Sequence, residues 1–176
     1  MPGGVYIDGE EVALATIEEA DLPFLRDTIN DPAVRAGLLY RPPLNLAQEC
    51  EYFEDVVSGD DSVNLLVRVD GEPAGTIGLE AIDDVNGTAE IGLFLAEPHW
   101  GCGVGTEAAR LLTDFAFRER RLHRVYARVR TDNEASARIW EKLGYRHEAT
   151  HRRAVFHEGE HVDVELYAAL ADEWDG

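Results

Sequence analysis

The sequence predicts a single α/β domain of the α+β kind, in which a mixed and mostly antiparallel central sheet is flanked by helices. Its 176 residues are enough for one sizeable core and too few to suggest two, so residues 1–176 are treated as one domain. Strand-like runs joined by tight turns come early and again at the end of the chain, and helical segments separate the strands between them. This order is typical of a mixed sheet with helices packed on it.

The first third of the chain predicts a hairpin followed by helices. β-rich runs lie on both sides of Asp8, which forms a strong turn signal with the glycine after it. Apolar residues then recur at helical spacing at Leu22, Leu25 and Ile29, and Pro32 ends this helix or opens the next turn. After two prolines another helix is predicted from the spacing of Ala47, Cys50, Tyr52, Phe53, Val56 and Val57, until a glycine interrupts the pattern.

The remaining segments predict a meander, two helices and a final hairpin. Strands are expected on both sides of Asp70–Gly71 and after Asn86–Gly87, since both dipeptides favour hairpin turns. The run after the next glycine cluster, from residue 106, predicts an amphipathic helix with one apolar face: Ala108, Leu111, Leu112, Phe115 and Ala116. A strand over 123–131, a capped helix over 133–144 and a closing hairpin complete the order.

The charge balance is strongly acidic, with a formal net charge of -19 at pH 7 and Lys142 as the only lysine. Nucleic acids and anionic membranes are bound through lysine and arginine, so we expect neither as a partner. The composition resembles that of proteins from salt-accumulating organisms, in which charges are screened over roughly 3 Å at molar salt. The alternative is an acidic surface that attracts cationic substrates.

The sequence shows no sign of export or of a membrane span. The start of the chain lacks the basic residues and apolar core of a signal peptide, and no apolar run approaches the roughly 18 residues of a membrane span, so we expect a cytoplasmic protein. Cys50 and Cys102 lie far apart and predict free thiols. Cys102 could be taken for a nucleophile, but its glycine neighbours favour a role for its backbone.

Three glycines, Gly101, Gly103 and Gly105, lie between a predicted strand and a predicted helix. The helix N-terminus presents unpaired N–H groups and a partial positive charge there, and the missing side chains let a ligand approach. We therefore expect an anion site for a phosphate or pyrophosphate. A triphosphate-binding loop would need a lysine at this place, and a dinucleotide motif would need glycine instead of Thr106. The alternative is a tight turn without a ligand.

Three segments extend this pattern: AEIGLFLAEPHWGCGVGTEAARLLTDFAF, HRVYARVRTDNEASARIWEKLGY and VDVELYAAL. Together they resemble the GNAT superfamily of N-acetyltransferases, and most of all the branch that includes the ribosomal-protein N-terminal alanine acetyltransferases. The resemblance extends from residue 10 to the last predicted strand. It implies one GNAT-like domain that uses acetyl-CoA as its cosubstrate and needs no metal.

The resemblance assigns cosubstrate contacts to three parts of the sequence. In that family a strand segment separates from its neighbouring strand and pairs its backbone with the pantetheine arm, and here this segment is Leu93, Phe94 and Leu95. Backbone N–H groups that hold the pyrophosphate correspond to Gly101, Cys102, Gly103, Val104, Gly105 and Thr106. The family pattern Gln/Arg-x-x-Gly-x-Gly/Ala is kept except at its first position, which is Trp100. Asn133 matches an asparagine that contacts pantetheine, and a helix N-cap is its alternative role.

Direct attack of an amine on the thioester needs positioning and acid–base help, but no covalent enzyme intermediate. Many family members use a tyrosine to protonate the thiolate, and Trp140 stands at that position, where an indole N–H is no practical acid. Ser136 resembles the serine that has this role in the N-terminal acetyltransferase branch, and a surface role is the alternative. We expect Glu90 to be the base, or else a solvent-facing strand residue; Tyr145 is a further candidate, or a core residue.

A zinc motif is also present in the sequence. His157–His161 reads His-Glu-Gly-Glu-His, which matches the H-E-x-x-H signature of zinc proteases. That signature requires a helix, which places both histidines on one face. Here glycine occupies the centre and strand-like runs lie on either side, so the segment predicts a hairpin turn and we expect no metal site.

The acceptor that best fits the resemblance is the α-amine of a protein N-terminus. The alternatives are a small amine, such as a polyamine or an aminoglycoside, and a non-catalytic module that only binds acetyl-CoA, which Trp140 suggests. In this family the walls of the acceptor groove correspond to residues 30–49 and the final hairpin. Homodimers are frequent in the family, so the resemblance also admits a homodimer here.

Overall fold

Eight strands form one sheet in the computed structural model, which describes residues 3–39 and 42–176. Residues 40 and 41, part of the expected acceptor wall, lie outside the described residues. The strands are β1 (Val5–Asp8), β2 (Val12–Thr16), β3 (Val63–Val69), β4 (Glu72–Asp83), β5 (Thr88–Leu95), β6 (Arg124–Arg130), β7 (Arg146–His157) and β8 (Glu160–Leu170). They lie in the order β1-β2-β3-β4-β5-β6-β8-β7. Only β5 and β6 pair in parallel among the described strands, which confirms the mixed, mostly antiparallel sheet.

Among the described residues, five α-helices connect these strands, and four of them lie largely where the sequence predicts a helix. The five helices are α1 (Leu22–Asn30), α2 (Pro32–Gly37), α3 (Leu46–Tyr52), α4 (Val104–Arg118) and α5 (Glu134–Lys142). Helix α2 was not predicted, since the sequence indicated only a turn after Pro32; it forms because the side chain of Asp31 accepts from the backbone N–H groups at its start. None of the helices in the described ranges is long and apolar enough to cross a membrane.

Two helix boundaries differ from the prediction. The helix α4 begins at Val104, two residues earlier than expected, because Gly103 takes a positive φ of 91° and turns the chain directly into the helix. The helix α3 ends at Tyr52 and continues as a π-helical turn over Phe53–Val57, in which the N–H of Ser58 donates to the carbonyl of Phe53 (2.9 Å). A bond that spans five residues widens the last turn.

The core lies on both faces of the sheet. Because side chains alternate along a strand, Leu65 and Val67 of β3 contribute to one apolar cluster and Leu66 to the other. The first and larger cluster includes Ala108 and Leu112 of α4, which connects the parallel strands β5 and β6. The second cluster is smaller and packs α1 and α3 on the opposite face with Ile17, Leu22, Leu25, Phe53 and Phe94.

Candidate active site

The parallel strands β5 and β6 separate part of the way along the sheet. Their register runs from Thr88–Arg124 to Glu90–Tyr126, and β5 then continues over residues 91–95 beyond it. The edge of β5 that faces β6 is therefore open along this stretch, and an extended ligand could pair with its backbone as an added strand. The segment Leu93–Leu95, which was predicted to contact pantetheine, lies in this split.

The glycine-rich loop follows the open end of β5. Gly101 and Gly103 have φ angles of 70° and 91°, which L-residues rarely adopt, and a Cβ at either position would meet nothing within 4 Å. Gly103 is the N-cap of α4, and no described side chain caps this helix end. The first N–H groups of α4, from Val104 to Thr106, are therefore left without a side-chain acceptor from the N-cap.

Gly105 has a different role from the other two glycines. It lies in the first turn of α4, where a Cβ would come within 2.9 Å of Cδ1 of Ile139 and 3.5 Å of Cδ1 of Leu95. The missing side chain thus lets α4 approach α5 and the end of β5. Because of this contact, the helix start and the split strand belong to one packed unit.

The acidic side chain in the first turn of α4 is directed away from the loop. Glu107 accepts hydrogen bonds from the backbone N–H groups of Glu10 (2.6 Å) and Glu11 (3.1 Å), in the turn between β1 and β2. Glu107 therefore does not cap the N–H groups at the start of α4.

Trp100 and Cys102 complete the loop. The indole Nε1–H of Trp100 donates to the carbonyl of Leu95 (2.8 Å), and 46% of the residue is exposed. Glutamine and arginine, the usual family residues at this position, also carry side-chain N–H donors, so the departure at Trp100 keeps a donor. Cys102 is an exposed free thiol that lies 3.2 Å from the carbonyl of His99.

Asn133 caps helix α5. Its Oδ1 accepts from the backbone N–H of Ser136 (3.1 Å), and its Nδ2 donates to the carbonyl of Gly37 (3.0 Å) at the end of α2. The N-cap role is thus confirmed, whereas contact with pantetheine stays a prediction. Such a contact would use the second hydrogen of the Asn133 side-chain amide. Ser136 lies half-buried in the first turn of α5, next to this cap.

Glu90 lies at the last paired position before the split. Its Oε1 accepts from Nε of Arg128 (2.8 Å), and Glu80 of β4 lies opposite it in the register. This hydrogen bond to Glu90 raises the pKa of Arg128 above its ordinary value. Tyr126 pairs with Glu90 across the two strands, and burial together with the charge of Glu90 raises the pKa of Tyr126.

The arginine of this pair was missed by the sequence reasoning. Arg124, Arg128 and Arg130 alternate along β6 with the buried residues Val125, Ala127 and Val129. This period of two in RVYARVR indicates a row of arginines on one face of the strand. It is the signal that could have drawn attention to Arg128.

Two aromatic residues lie in the core: Trp140, at the position of the usual acid, and Tyr145, the further candidate for the base. Trp140 is 2% exposed, its ring centroid lies 5.1 Å from that of Tyr145, and its indole N–H has no partner among the described residues. The hydroxyl of Tyr145 bonds Oγ1 of Thr113 (2.8 Å), and burial raises the pKa of this phenol above its ordinary value. Both rings therefore contribute to the packing of the core.

The zinc-like motif lies across a hairpin. His157 ends β7, the turn residues Glu158 and Gly159 have φ angles of 47° and 90°, and β8 starts at Glu160. The predicted hairpin turn is confirmed, and the segment is not the helix that the protease signature requires. In the described ranges, no three His, Cys, Asp or Glu side chains are grouped so as to hold a metal ion.

An open strand edge beside an uncapped helix start could receive an extended cosubstrate along the strand and an anionic group at the helix N-terminus. The family described as acetyltransferase (GNAT) domain matches residues 11–146. The chain belongs to this family, and it is an N-acetyltransferase that depends on acetyl-CoA.

Known proteins that resemble the chain agree with this assignment. It is 29% identical to p20 of Bacillus licheniformis, an uncharacterised N-acetyltransferase, over 172 residues, or 95% of this chain and 97% of that protein. It is 37% identical to YdaF of Bacillus subtilis strain 168, provisionally named a ribosomal N-acetyltransferase, over 107 residues, or 61% of this chain and 58% of that protein.

A solved structure shows the same fold. Spermidine N-acetyltransferase from Vibrio cholerae, in complex with CoA and spermine, has a TM-score of 0.88 and 20% sequence identity to this chain. The match covers 94% of this chain and 98% of the Vibrio protein. At this identity the likeness shows the fold alone.

Proposed function

We propose that the enzyme acetylates the α-amine of a protein N-terminus, by direct transfer from acetyl-CoA without a covalent enzyme intermediate. The observation that carries this proposal is the ion pair between Glu90 and Arg128 (2.8 Å) where the split begins. The side chain of Arg128 is 46% exposed, so a cation lies beside the carboxylate. A peptide N-terminus carries one amine followed by neutral backbone, and it fits this mixed charge better than a polycation, which the guanidinium would repel. The name of YdaF supports the same acceptor class.

A small amine such as a polyamine or an aminoglycoside is the second candidate acceptor, and one cavity favours it. This cavity of about 460 Å³ lies between the end of α3 and β4, and its lining includes Asp55, Asp60, Asp61 and Glu80. Glu80 also lies opposite Glu90, so a chain of amines could extend from this cavity toward the split. The Vibrio relative in fold acts on spermidine.

The backbone contacts proposed for acetyl-CoA follow from the split and the loop. Leu93, Phe94 and Leu95 would pair with the pantetheine arm along the open edge of β5, and Asn133 would add its second amide hydrogen. The N–H groups of residues 101–106 would hold the pyrophosphate, which the positive end of α4 favours. The open space beside Gly101 and Gly103 supports this fit, because a Cβ at either residue would project into it.

In the proposed reaction the amine nitrogen attacks the thioester carbonyl carbon, so that a C–N bond forms and the C–S bond breaks. The attacking nitrogen is that of the neutral amine, and Glu90 accepts the proton that this nitrogen loses as the C–N bond forms, directly or through one water. The leaving thiolate takes a proton from the Ser136 hydroxyl, which solvent then restores. Trp140 takes no part in this proton transfer, because its indole is buried among core residues.

Release of free CoA thiol tests the acceptor class. We expect release when acetyl-CoA is mixed with peptides that have a free N-terminal amine, and none with the same peptides after N-terminal acetylation. The assay is run at low and at molar salt, since screening removes non-specific attraction to the acidic surface. Release with polyamines or aminoglycosides and not with the peptides would replace the first candidate by the second.

The donor at Trp100 leads to a separate prediction. Trp100→Leu removes the hydrogen bond to Leu95 and is expected to lower the free energy of unfolding by about 1 kcal/mol and to weaken acetyl-CoA binding about threefold. Trp100→Gln keeps a side-chain N–H and should stay close to the wild type in both respects. Urea unfolding and calorimetric titration measure the two effects. Equal losses in both variants would show that the indole acts through its ring and not through its donor.

A further inference from the structure

The C-terminal end of α2 is held by side chains from the connection between β6 and α5. Arg130 donates from Nη2 to the carbonyl of Ala36 (2.7 Å) and from Nη1 to the carbonyl of Leu38 (2.9 Å). Asn133 donates to the carbonyl between them, that of Gly37 (3.0 Å). Three successive carbonyls at this helix end are thus satisfied from one distant segment, where a helix by itself leaves them unpaired.

The guanidinium of Arg130 is also held in place by Asp132. The side chain of Arg130 is 3% exposed, and it donates to Asp132 at two points, from Nε to Oδ1 (2.8 Å) and from Nη2 to Oδ2 (3.0 Å). Paired contacts between a guanidinium and a carboxylate restrict both side chains in one plane. The buried guanidinium therefore has a fixed position. Helix α2, with six residues, is too short to be stable without outside contacts such as these.

The other end of the connection between α2 and α3 is also fixed. Asn30, at the end of α1, donates from Nδ2 to the carbonyl of Leu44 (2.7 Å) and accepts from the N–H of Leu44 (3.0 Å). The connection thus starts at carbonyls held by Arg130 and ends at a residue held by Asn30.

These contacts join the two halves of the site. Arg130 is the last residue of β6, the strand that borders the split, and Asn133 begins the helix that carries Ser136. The carbonyls that they hold belong to residues 30–49, the expected wall of the acceptor groove. A Cβ at Gly37 would come within 3.2 Å of Nδ2 of Asn133, so glycine there leaves room for the contact.

We propose that Arg130 is a positioning residue that sets the acceptor wall against the split through the carbonyls of Ala36 and Leu38. The proposal rests on the proposed function, since it takes the described part of the expected wall, residues 30–39 and 42–49, as the surface that receives the amine. Acceptor binding then depends on Arg130, whereas acetyl-CoA binding along β5 and the glycine-rich loop does not.

Kinetic constants of Arg130→Gln separate these two effects. We expect the KM of the acceptor to rise about fivefold, because contacts to two carbonyls are lost, while the Kd of acetyl-CoA stays within about twofold. Arg130→Lys keeps the charge and one contact, and should recover part of the acceptor KM. The matched control is Arg138→Gln, which changes an exposed arginine of α5 that pairs only weakly with Glu134 (3.2 Å). A rise in the acetyl-CoA Kd equal to that in the acceptor KM would overturn the proposal.

Amide hydrogen exchange tests, without any turnover, whether Arg130 holds the end of α2. Peptides that cover residues 31–46 should exchange faster in Arg130→Gln than in the wild type, whereas peptides from β1 to β3 should be unchanged. If Arg130→Gln does not fold, Asp132→Asn replaces it, since that variant weakens the hold on Arg130 and should show the same pattern to a smaller degree. Unchanged exchange over residues 31–46 would refute the proposal that Arg130 holds this segment in place. If the wild type acetylates no amine, the proposed function fails, and the exchange result still decides whether Arg130 holds this segment.

Discussion

Replacing Gly103 with alanine is expected to weaken acetyl-CoA binding about tenfold, as measured by calorimetric titration. Gly103 has a φ of 91°, and an L-residue with a Cβ pays roughly 1–2 kcal/mol to adopt that left-handed conformation. Alanine therefore favours a relaxed loop in which the N–H groups at the start of α4 no longer converge. Restoring the binding geometry then costs about as much as a tenfold change in Kd.

Gly144→Ala is the matched control for this substitution. Gly144 has a φ of 80°, a Cβ there would also meet nothing within 4 Å, and it lies beyond the C-terminal end of α5. Both variants should lose similar stability, which thermal unfolding measures, but only Gly103→Ala should lose affinity for acetyl-CoA. Equal affinities in the two variants would show that the glycine-rich loop is a structural turn with no role in acetyl-CoA binding.

The glycine-rich loop shows how far the sequence could predict the site. Glycines between a strand and a helix predicted an anion site, and the positive φ angles of Gly101 and Gly103 agree with that reasoning. The sequence could not show that Gly105 serves a different purpose, because its constraint comes from Ile139, which lies in another helix. A contact between distant segments leaves no local pattern in either of them.

The order of strands and helices was predictable for a related reason. Turn dipeptides such as Asp70–Gly71 and the alternation of apolar residues act over a few positions, so they are visible in the sequence. The separation of β5 from β6 is different, since it depends on the register of strands that are joined through α4. Only the resemblance to a family with this feature predicted the split.

The arginines of β6 mark the limit of sequence reasoning at this site. Their alternation was visible, but Arg128 pairs with Glu90, 38 positions away, and Arg130 with Ala36, 94 positions away. Neither partner could be chosen among the 35 acidic residues or the many carbonyls of the chain. The structure selects them because the sheet brings β5 and the end of α2 next to the same strand. Strand β6 thus carries both Arg128, the partner of the proposed base, and Arg130, which contacts the acceptor wall.

Glu90→Gln is expected to lower kcat about 100-fold near neutral pH and to leave the Kd of acetyl-CoA unchanged. A positioned general base contributes roughly 10²–10⁴-fold to a rate, and the lower end applies because water can still accept the amine proton. Glutamine keeps an oxygen that accepts from Nε of Arg128, so the packing at the start of the split is preserved. Stopped assays of acetylated peptide measure kcat, and titration measures the Kd.

The matched control is Glu148→Gln, which removes the charge from the glutamate of a second pair with an arginine of β6. Glu148 of β7 accepts from Nη1 of Arg124 (2.8 Å), and this contact holds the pKa of Glu148 below its ordinary value. The loss of a partly exposed pair costs at most about 1 kcal/mol of stability, and kcat should remain within twofold of the wild type. If Glu90→Gln and Glu148→Gln have the same kcat, Glu90 is a structural partner of Arg128 and another group accepts the proton.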